Sequence, residues 1–481
     1  MIKHYYNPFM QSTKLINILK TLKPSEIKRF GEFVKSPFFN TNSRLINLYI
    51  EIRKFYPDFQ EKGFTKEFLY SKLFPGEKYK DETIRNYLSD LTELGEEFLS
   101  ITNIQRDRFT YTKHLLMELN IRELDRHFEK NMKVAIASLE KRSIKDDTFF
   151  HDKFVLESEI NLFNEIRGKF SLFEHQKQQD FLLKFFIIKL LKIHCYMLNH
   201  NIYISDETYN LIYLDELLEH LKKTPYEDLP ILEIYYLKLL LYITQSEDNF
   251  HKLKKLFLKN VGLLGKEEQH NTFVTLTNYC TRKVQEGNRS FYKDNFELRK
   301  LMITGDYYLR NRIDSTMYKN AVKSAMRVKE FDWAEKFADA FREKIDQASR
   351  QSAFCYVKAL IYFYRKDYSK SLEFLSKTGT EDFSNKIEIK NLSLKIYFEQ
   401  NQIDSLYSLV DTYRHFLNNN EFEKELHRQR NLNFLKFVNA LVKLKENPDE
   451  YLLLTMKKEI EQTNPIIEKD WLIEKIGDMK V

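Results

Sequence analysis

The stretch Lys358–Leu375, KALIYFYRKDYSKSLEFL, decides the fold because its pattern repeats. EFDWAEKFADAF (330–341), KDYSKSLEFLS (366–376) and NQIDSLYSLVDTY (401–413) align on Phe331, Tyr368 and Ile403. Three residues on stand Ala334, Ser371 and Leu406; six on, Phe337, Phe374 and Leu409; seven on, Ala338, Leu375 and Val410. Upstream, Ala359 and Tyr362 recur 35 residues later as Leu394 and Tyr397. Looser copies begin at Phe250 and Phe291, so the anchors are spaced 41, 40, 37 and 35 apart. A unit of that length holds two helices and does not bury its apolar face alone, so neighbours stack.

Working outward, the whole composition supports helices. Only 11 Gly and 9 Pro interrupt 481 residues, while 29 Tyr and 39 Phe give bulk for a core. That excludes a disordered chain, a collagen-like one and a turn-rich all-β fold. At about 150 residues per domain the length predicts roughly three domains. Five prolines fall before residue 76, none between 76 and 224, and none between 231 and 447. Proline inside a helix costs about 3 kcal/mol, so the gaps permit uninterrupted hairpins. The boundaries expected are an N-terminal helical module over 1–105, a middle helical segment over 106–223, and repeats over 231–481. Thr224–Pro230 reads as a linker, and Asn-Pro at 447–448 and 464–465 predicts two short closing helices that start on proline. In the first module, helices are expected near 12–22, 25–35, 42–55, 66–73 and 82–101. Phe30, Phe33, Phe38 and Phe39 are expected to form the core of a small helical cap. No run alternates with period two for long enough to require a strand. The fold class is all-α.

Net charge is +7 from 77 basic and 70 acidic side chains, without a basic tail or an acidic block. Cys195, Cys280 and Cys355 are too dispersed for a disulfide framework or a zinc site, which fits a reducing compartment. The first residues read as no signal peptide, so the location expected is cytoplasmic. Phe181–Leu198 is the most apolar stretch, but Lys184, Lys189 and Lys192 make it costly as a membrane span. It reads as a largely buried helix with a narrow lysine stripe outside; the alternative is an amphipathic helix on a membrane surface.

The repeats resemble the tetratricopeptide family, an α-solenoid of stacked antiparallel helical hairpins. Ala359 stands at that family's small position in the first helix, Tyr362 at its aromatic, and Tyr368 opens the second helix. Ser371 and Leu406 depart from its second-helix alanine, and its closing proline is missing. The resemblance implies that first-helix residues line a concave face holding an extended peptide or partner helix. Transferred to this chain, that face carries Lys319, Lys323 and Arg327 at i, i+4, i+8, then Tyr356, Leu360, Phe363 and Tyr364, then Asn391, Lys395 and Phe398. Such a face suits an acidic segment or a carboxylate, and reversing the three basic charges is expected to abolish capture.

DETIRNYLSDLTELG (81–95) resembles the recognition helix of winged helix-turn-helix regulators. Ile84, Leu88 and Leu91 share the core side, and Arg85 and Asn86 face outward with Lys78 and Lys80 nearby. The resemblance implies contact with DNA phosphates or base edges. The sequence after Gly95 continues as helix where a wing would stand, and the local charge is mixed.

No nucleotide-binding glycine loop, HExxH or GxSxG occurs. A single ExxH at Glu267–His270 reads as a solvated helix start, and His194 beside Cys195 is a poor nucleophile–base pair. Glu216 with His220 and Glu423 with His427 read as surface i, i+4 pairs. No catalytic constellation, metal site or cofactor is expected. The sequence therefore predicts a non-enzymatic scaffold or adaptor that binds a protein or peptide in a concave groove. The alternatives are a DNA-binding regulator with a repeat sensor, and a structural subunit of a larger assembly.

Overall fold

The computed structural model describes residues 13–479, apart from 62, 170–171, 205–206, 225, 227, 310–311, 381–382 and 421–424. Among the described residues there are twenty-three α-helices, one isolated parallel bridge between Ile313 and Ile345, and no strand. The first ten helices are α1 (Lys14–Thr21), α2 (Pro24–Lys35), α3 (Ser43–Arg53), α4 (Lys66–Leu73), α5 (Asp81–Arg106), α6 (Arg108–Ile121), α7 (Asp125–Glu140), α8 (Asp147–Ile166), α9 (Leu172–Tyr203) and α10 (Leu214–Lys223). The remainder are α11 (Pro230–Thr244), α12 (Glu247–Asn260), α13 (Lys266–Gln285), α14 (Phe291–Thr304), α15 (Ser315–Arg327), α16 (Phe331–Ala340), α17 (Gln347–Tyr364), α18 (Tyr368–Ser376), α19 (Phe383–Glu399), α20 (Ile403–Asn419), α21 (Glu425–Glu446), α22 (Glu450–Gln462) and α23 (Lys469–Asp478). They group into two compact units: Met1–Lys141 with Val155–Leu172, and Arg142–Phe154 with Phe173–Val481. The chain passes between the units at 141/142, inside α8 at 154/155, and at the start of α9 at 172/173.

In the first unit, α1–α5 enclose a core that includes Ile16, Leu19, Phe30, Leu48, Ile52, Leu69, Ile84 and Leu91. Phe30 meets Tyr49 edge-on at 5.1 Å, and the Tyr49 hydroxyl donates to the Ile27 carbonyl. A Cβ at Gly31 would stand 2.8 Å from the Tyr49 ring, so only glycine lets α2 and α3 approach this closely. Thr65 caps α4 by accepting from Phe68 N–H at 3.2 Å, with Phe64 and Leu69 both buried. Phe33 stacks on Phe39 at 4.0 Å, but Phe38 is 86% exposed and lies outside the expected aromatic core. It follows Pro37 in the turn that ends α2, where its backbone aims it outward.

Helix α5 buries Ile84, Leu88 and Leu91 as expected and then runs unbroken to Arg106. Gly95 lies within it, where a Cβ would be 3.7 Å from Ile18. The wing of a winged helix is therefore absent among the described residues.

The second unit contains the repeats. Hairpins α11/α12, α13/α14, α15/α16, α17/α18, α19/α20 and α21/α22 follow one another, and α15 packs on α17 and α17 on α19. Phe291, Phe331, Tyr368 and Ile403 are each the first residue of a second helix, so four sequence anchors mark real hairpin corners. The first helices close by a shared backbone device. Gly287, Lys329, Lys366 and Asn401 have φ of 95°, 63°, 64° and 58°. Beyond α17, Lys366 N–H donates to Phe363 C=O at 2.9 Å and Asp367 N–H to Tyr362 C=O at 3.0 Å. The same pair of bonds follows α13, α15 and α19. These are Schellman turns, usually closed by glycine. Lysine and asparagine in the left-handed region cost energy that glycine avoids, so Lys366→Gly should stabilise the protein by about 0.5–1 kcal/mol, read as a higher urea midpoint with unchanged slope. Lys366 is exposed, so no packing is lost.

Between the two helices of a hairpin, small side chains permit close contact. Ser371 is fully buried and donates its hydroxyl to Ala359 C=O at 2.7 Å. Ala334, Ala338, Ala321 and Ala325 are likewise completely covered.

Two expectations are corrected here. Within 181–198 several apolar residues face outward beside Lys189: Leu182, Leu183, Phe186 and Ile193 are exposed, and Tyr196 is 71% so. Lys192 instead turns inward to Asp147 and Glu268, and Lys189 reaches Asp147 at 3.2 Å. The buried carboxylates draw the Lys192 ammonium inward, and apolar side chains share the outer face with Lys189. The two closing helices exist, but α22 is capped by Asp449, accepting from Leu452 N–H, and α23 starts at Lys469 after Glu468. Neither begins on its proline; Asn464–Pro465 is a cis peptide in the preceding turn. No helix among the described residues is long and apolar enough to cross a membrane.

Candidate functional site

The second unit encloses a cavity of about 750 Å³. Its wall is assembled mainly from first helices: Thr281 and Gln285 from α13, Asn320, Lys323, Ser324 and Arg327 from α15, Tyr356 from α17, Ile387, Glu388 and Asn391 from α19, and His427, Arg430 and Asn431 from α21. Helix α14 adds Asn295 and Arg299, and the turn before α23 adds Ile467 and Glu468. A second cavity of about 590 Å³ shares Thr281, Gln285, His427 and Arg430 with the first, so the two adjoin as one groove of mixed polar and apolar lining.

Of the ten residues expected on the concave face, Lys323, Arg327, Tyr356 and Asn391 line the cavity. Lys319 is 3% exposed; its ammonium donates to Glu388 at 2.5 Å and to Asn385 at 3.0 Å. Lys323 donates to the other Glu388 oxygen at 2.5 Å. Lys395 is buried and donates to Glu468 at 2.9 Å. Leu360, Phe363 and Phe398 are buried, and Phe398 packs edge-on against Trp471 at 5.3 Å. Tyr364 is partly covered. These six are corrected from groove lining to wall structure, because the first helices are apolar on more than one side and the chain's own carboxylates take up their lysines. Burial pushes the Glu388 and Glu468 carboxyls up, but the facing cations prevail and hold both below the usual range.

Sequence reading missed Arg299 and Arg430. Arg299 is 8% exposed; its Nε–H donates to Asn295 at 2.8 Å and an Nη2–H to Thr281 at 3.0 Å. Burial, with Arg327 among the weaker influences, brings its guanidinium down to about 10. Arg430 is also lowered by burial, and its Nε–H is buried without a hydrogen-bond partner. The available signal was a charge inside an apolar stripe: Arg299 stands three residues from both Phe296 and Met302, and Arg430 four before Phe434. Asn391 Oδ1 is a further buried atom without a partner.

The other expected sites lie elsewhere. In the first unit, Lys78, Lys80, Arg85 and Asn86 are exposed, and Arg85 pairs with Asp81 at 2.8 Å. Of the ExxH pair, Glu267 is exposed and His270 half-buried, while Glu268 between them is a buried partner of Lys192. Asp146, Asp147 and Glu268 bring carboxylate oxygens within 4.8 Å of one another, but the Lys192 ammonium bonds to Asp147 and Glu268 there. His220 meets the Tyr226 hydroxyl at 3.1 Å. Glu423 lies outside the described residues. All three cysteines are buried, and burial pushes their thiols up, Cys195 to about 12. Such thiols are poor nucleophiles. The chain matches no protein-family model, no curated protein and no solved structure.

Proposed function

We propose that this chain is a non-enzymatic helical-repeat scaffold, tetratricopeptide-like in its second unit, that holds an acidic segment of a partner protein in the concave groove. The observation that carries this reading is the joined pair of cavities, lined along successive first helices by amides, hydroxyls and cations. Such a surface offers orientation-specific hydrogen bonds along an extended ligand without any cofactor. The cavity volume lies within the range of specific ligand sites.

The test must leave Lys319 alone, since reversing its charge would break a buried ion pair and measure folding instead. Asn320→Trp fills the cavity from its α15 wall, and Arg327→Gln removes a charge that lines it without placing a carboxylate against Glu468. Each variant should keep the wild-type unfolding midpoint to within a few degrees and lower partner affinity about tenfold or more. If both recover the same partner with unchanged affinity, the groove is not the binding site.

A further inference from the structure

We propose that Arg299, Arg327 and Arg430 form a receptor for a phosphoryl group; this rests on the groove being a binding site and names the chemistry of its ligand. Arg299 comes from α14, Arg327 from α15 and Arg430 from α21, yet all three line one cavity. Lys323 stands on the same wall, and Lys319 and Lys395 lie just behind it. Against these six cations the cavity presents two carboxylates, Glu388 and Glu468. Asp314, the exposed N-cap of α15, also acts on Arg299.

The carboxylates are not shared evenly. Glu388 is bonded by Lys319 and Lys323, and Glu468 by Lys395. Arg327 feels Glu468 but forms no ion pair among the described residues; its guanidinium lies 5.6 Å from the centre of the Tyr292 ring. Among the described residues Arg299 is held only by the neutral oxygens of Asn295 and Thr281, which use two of its five N–H groups. Arg430 has an orphan Nε–H in the wall. Lysines thus meet the chain's own carboxylates, and the arginines are left for something else. Arg299 is buried without a countercharge and the half-buried Arg430 holds a buried orphan N–H; both are costly, and a ligand that completes them removes the cost.

The kind of charge missing follows from geometry. Guanidinium is a planar fork that bonds two oxygens of one group at once. A single carboxylate brings one charge and two oxygens. A phosphoryl ester brings about −1.5 to −2 at neutral pH on three acceptor oxygens, enough for several forks in one space. Asn320 on the wall adds an amide beside it. The phosphoryl group belongs either to a phosphorylated residue of the partner segment or to a small phosphate ester that binds alongside it.

The decisive experiment is calorimetric titration of the full chain with pyrophosphate and with O-phosphoserine, beside succinate and acetate, at low and moderate salt. Both phosphate probes should bind and raise the unfolding temperature, and neither carboxylate should match them. Arg430→Gln and Arg327→Gln should each weaken binding about tenfold. Arg299→Lys keeps the buried charge but removes the fork, so it should lose phosphate binding while remaining folded. The inference is overturned if the phosphate probes fail to bind at millimolar concentration, if succinate binds equally, or if all three variants bind as the wild type does. Should the probes fail while Asn320→Trp still abolishes partner capture, the phosphoryl inference falls and the groove reading stands. Phosphatase treatment of the captured partner separates the two sources: release identifies a phosphorylated segment, and retention with bound pyrophosphate identifies a separate phosphate ester.

Discussion

Replacing Glu388 by leucine should lower the stability of the second unit by about 3–5 kcal/mol, the usual cost of stranding one member of a buried pair. Lys319 would keep only Asn385 and the face of Tyr356, whose ring centre is 5.7 Å away. Neither replaces a carboxylate. The double variant Lys319→Met with Glu388→Leu should recover much of the loss, since a well-packed apolar pair of similar volume is often as stable as the ion pair. Acid titration provides the matching check. The folded pKa of Glu388 is depressed, so its contribution is complete above the unfolded glutamate value of about 4.3 and declines as pH falls through the folded value. Glu468 follows the same sign. Urea midpoints for wild type and Glu388→Leu should therefore converge below pH 4; a constant gap down to pH 2 would show that the ion pair is not the source.

Lys238→Met should act in the opposite direction and stabilise the protein at pH 7 by about 3 kcal/mol. Lys238 is 2% exposed on α11, with its ammonium 4.4 Å from the centre of the Tyr235 ring. Burial pushes it down to about 8, against weaker support from Cys195 and Glu268 and repulsion from Lys192. Because the folded ammonium gives up its proton more readily than the unfolded one, wild-type stability rises with pH between about 8 and the unfolded value near 10.4. The advantage of methionine should shrink over the same interval. An unfolding series from pH 7 to pH 10.5 measures both; an unchanged difference across it would contradict the buried charge as the cause.

The helical class, the N-terminal helix positions and the hairpin corners were legible because each depends on local pattern. Apolar spacing placed α1–α5 within a few residues, and the anchors Phe291, Phe331, Tyr368 and Ile403 proved to be helix starts. Turn chemistry was harder to read. Schellman turns closed by Lys329, Lys366 and Asn401 carry no glycine, so their left-handed residues look like ordinary surface positions. The site was only partly legible. Lys323, Arg327, Tyr356 and Asn391 were recoverable from helical phase, but Lys319 and Lys395 were spent on partners 69 and 73 residues away. No linear pattern records a pairing at that separation. Arg299 and Arg430 were passed over for the same reason: a guanidinium among apolar neighbours is informative only when its surroundings are known.

The ion pairs that skip hairpins have a mechanical meaning. A stack whose members touch only their neighbours behaves as a spring of links in series, and each link adds its own compliance. Lys319–Glu388 ties α15 to α19 across α17, and Lys395–Glu468 ties α19 to the turn before α23. They are braces that bypass the hairpin between the elements they join. Protonating the two glutamates removes these cross-links, so the stack should loosen and lengthen before any hairpin unravels. Small-angle scattering across the acid transition would record a rise in radius of gyration ahead of the loss of helical circular dichroism.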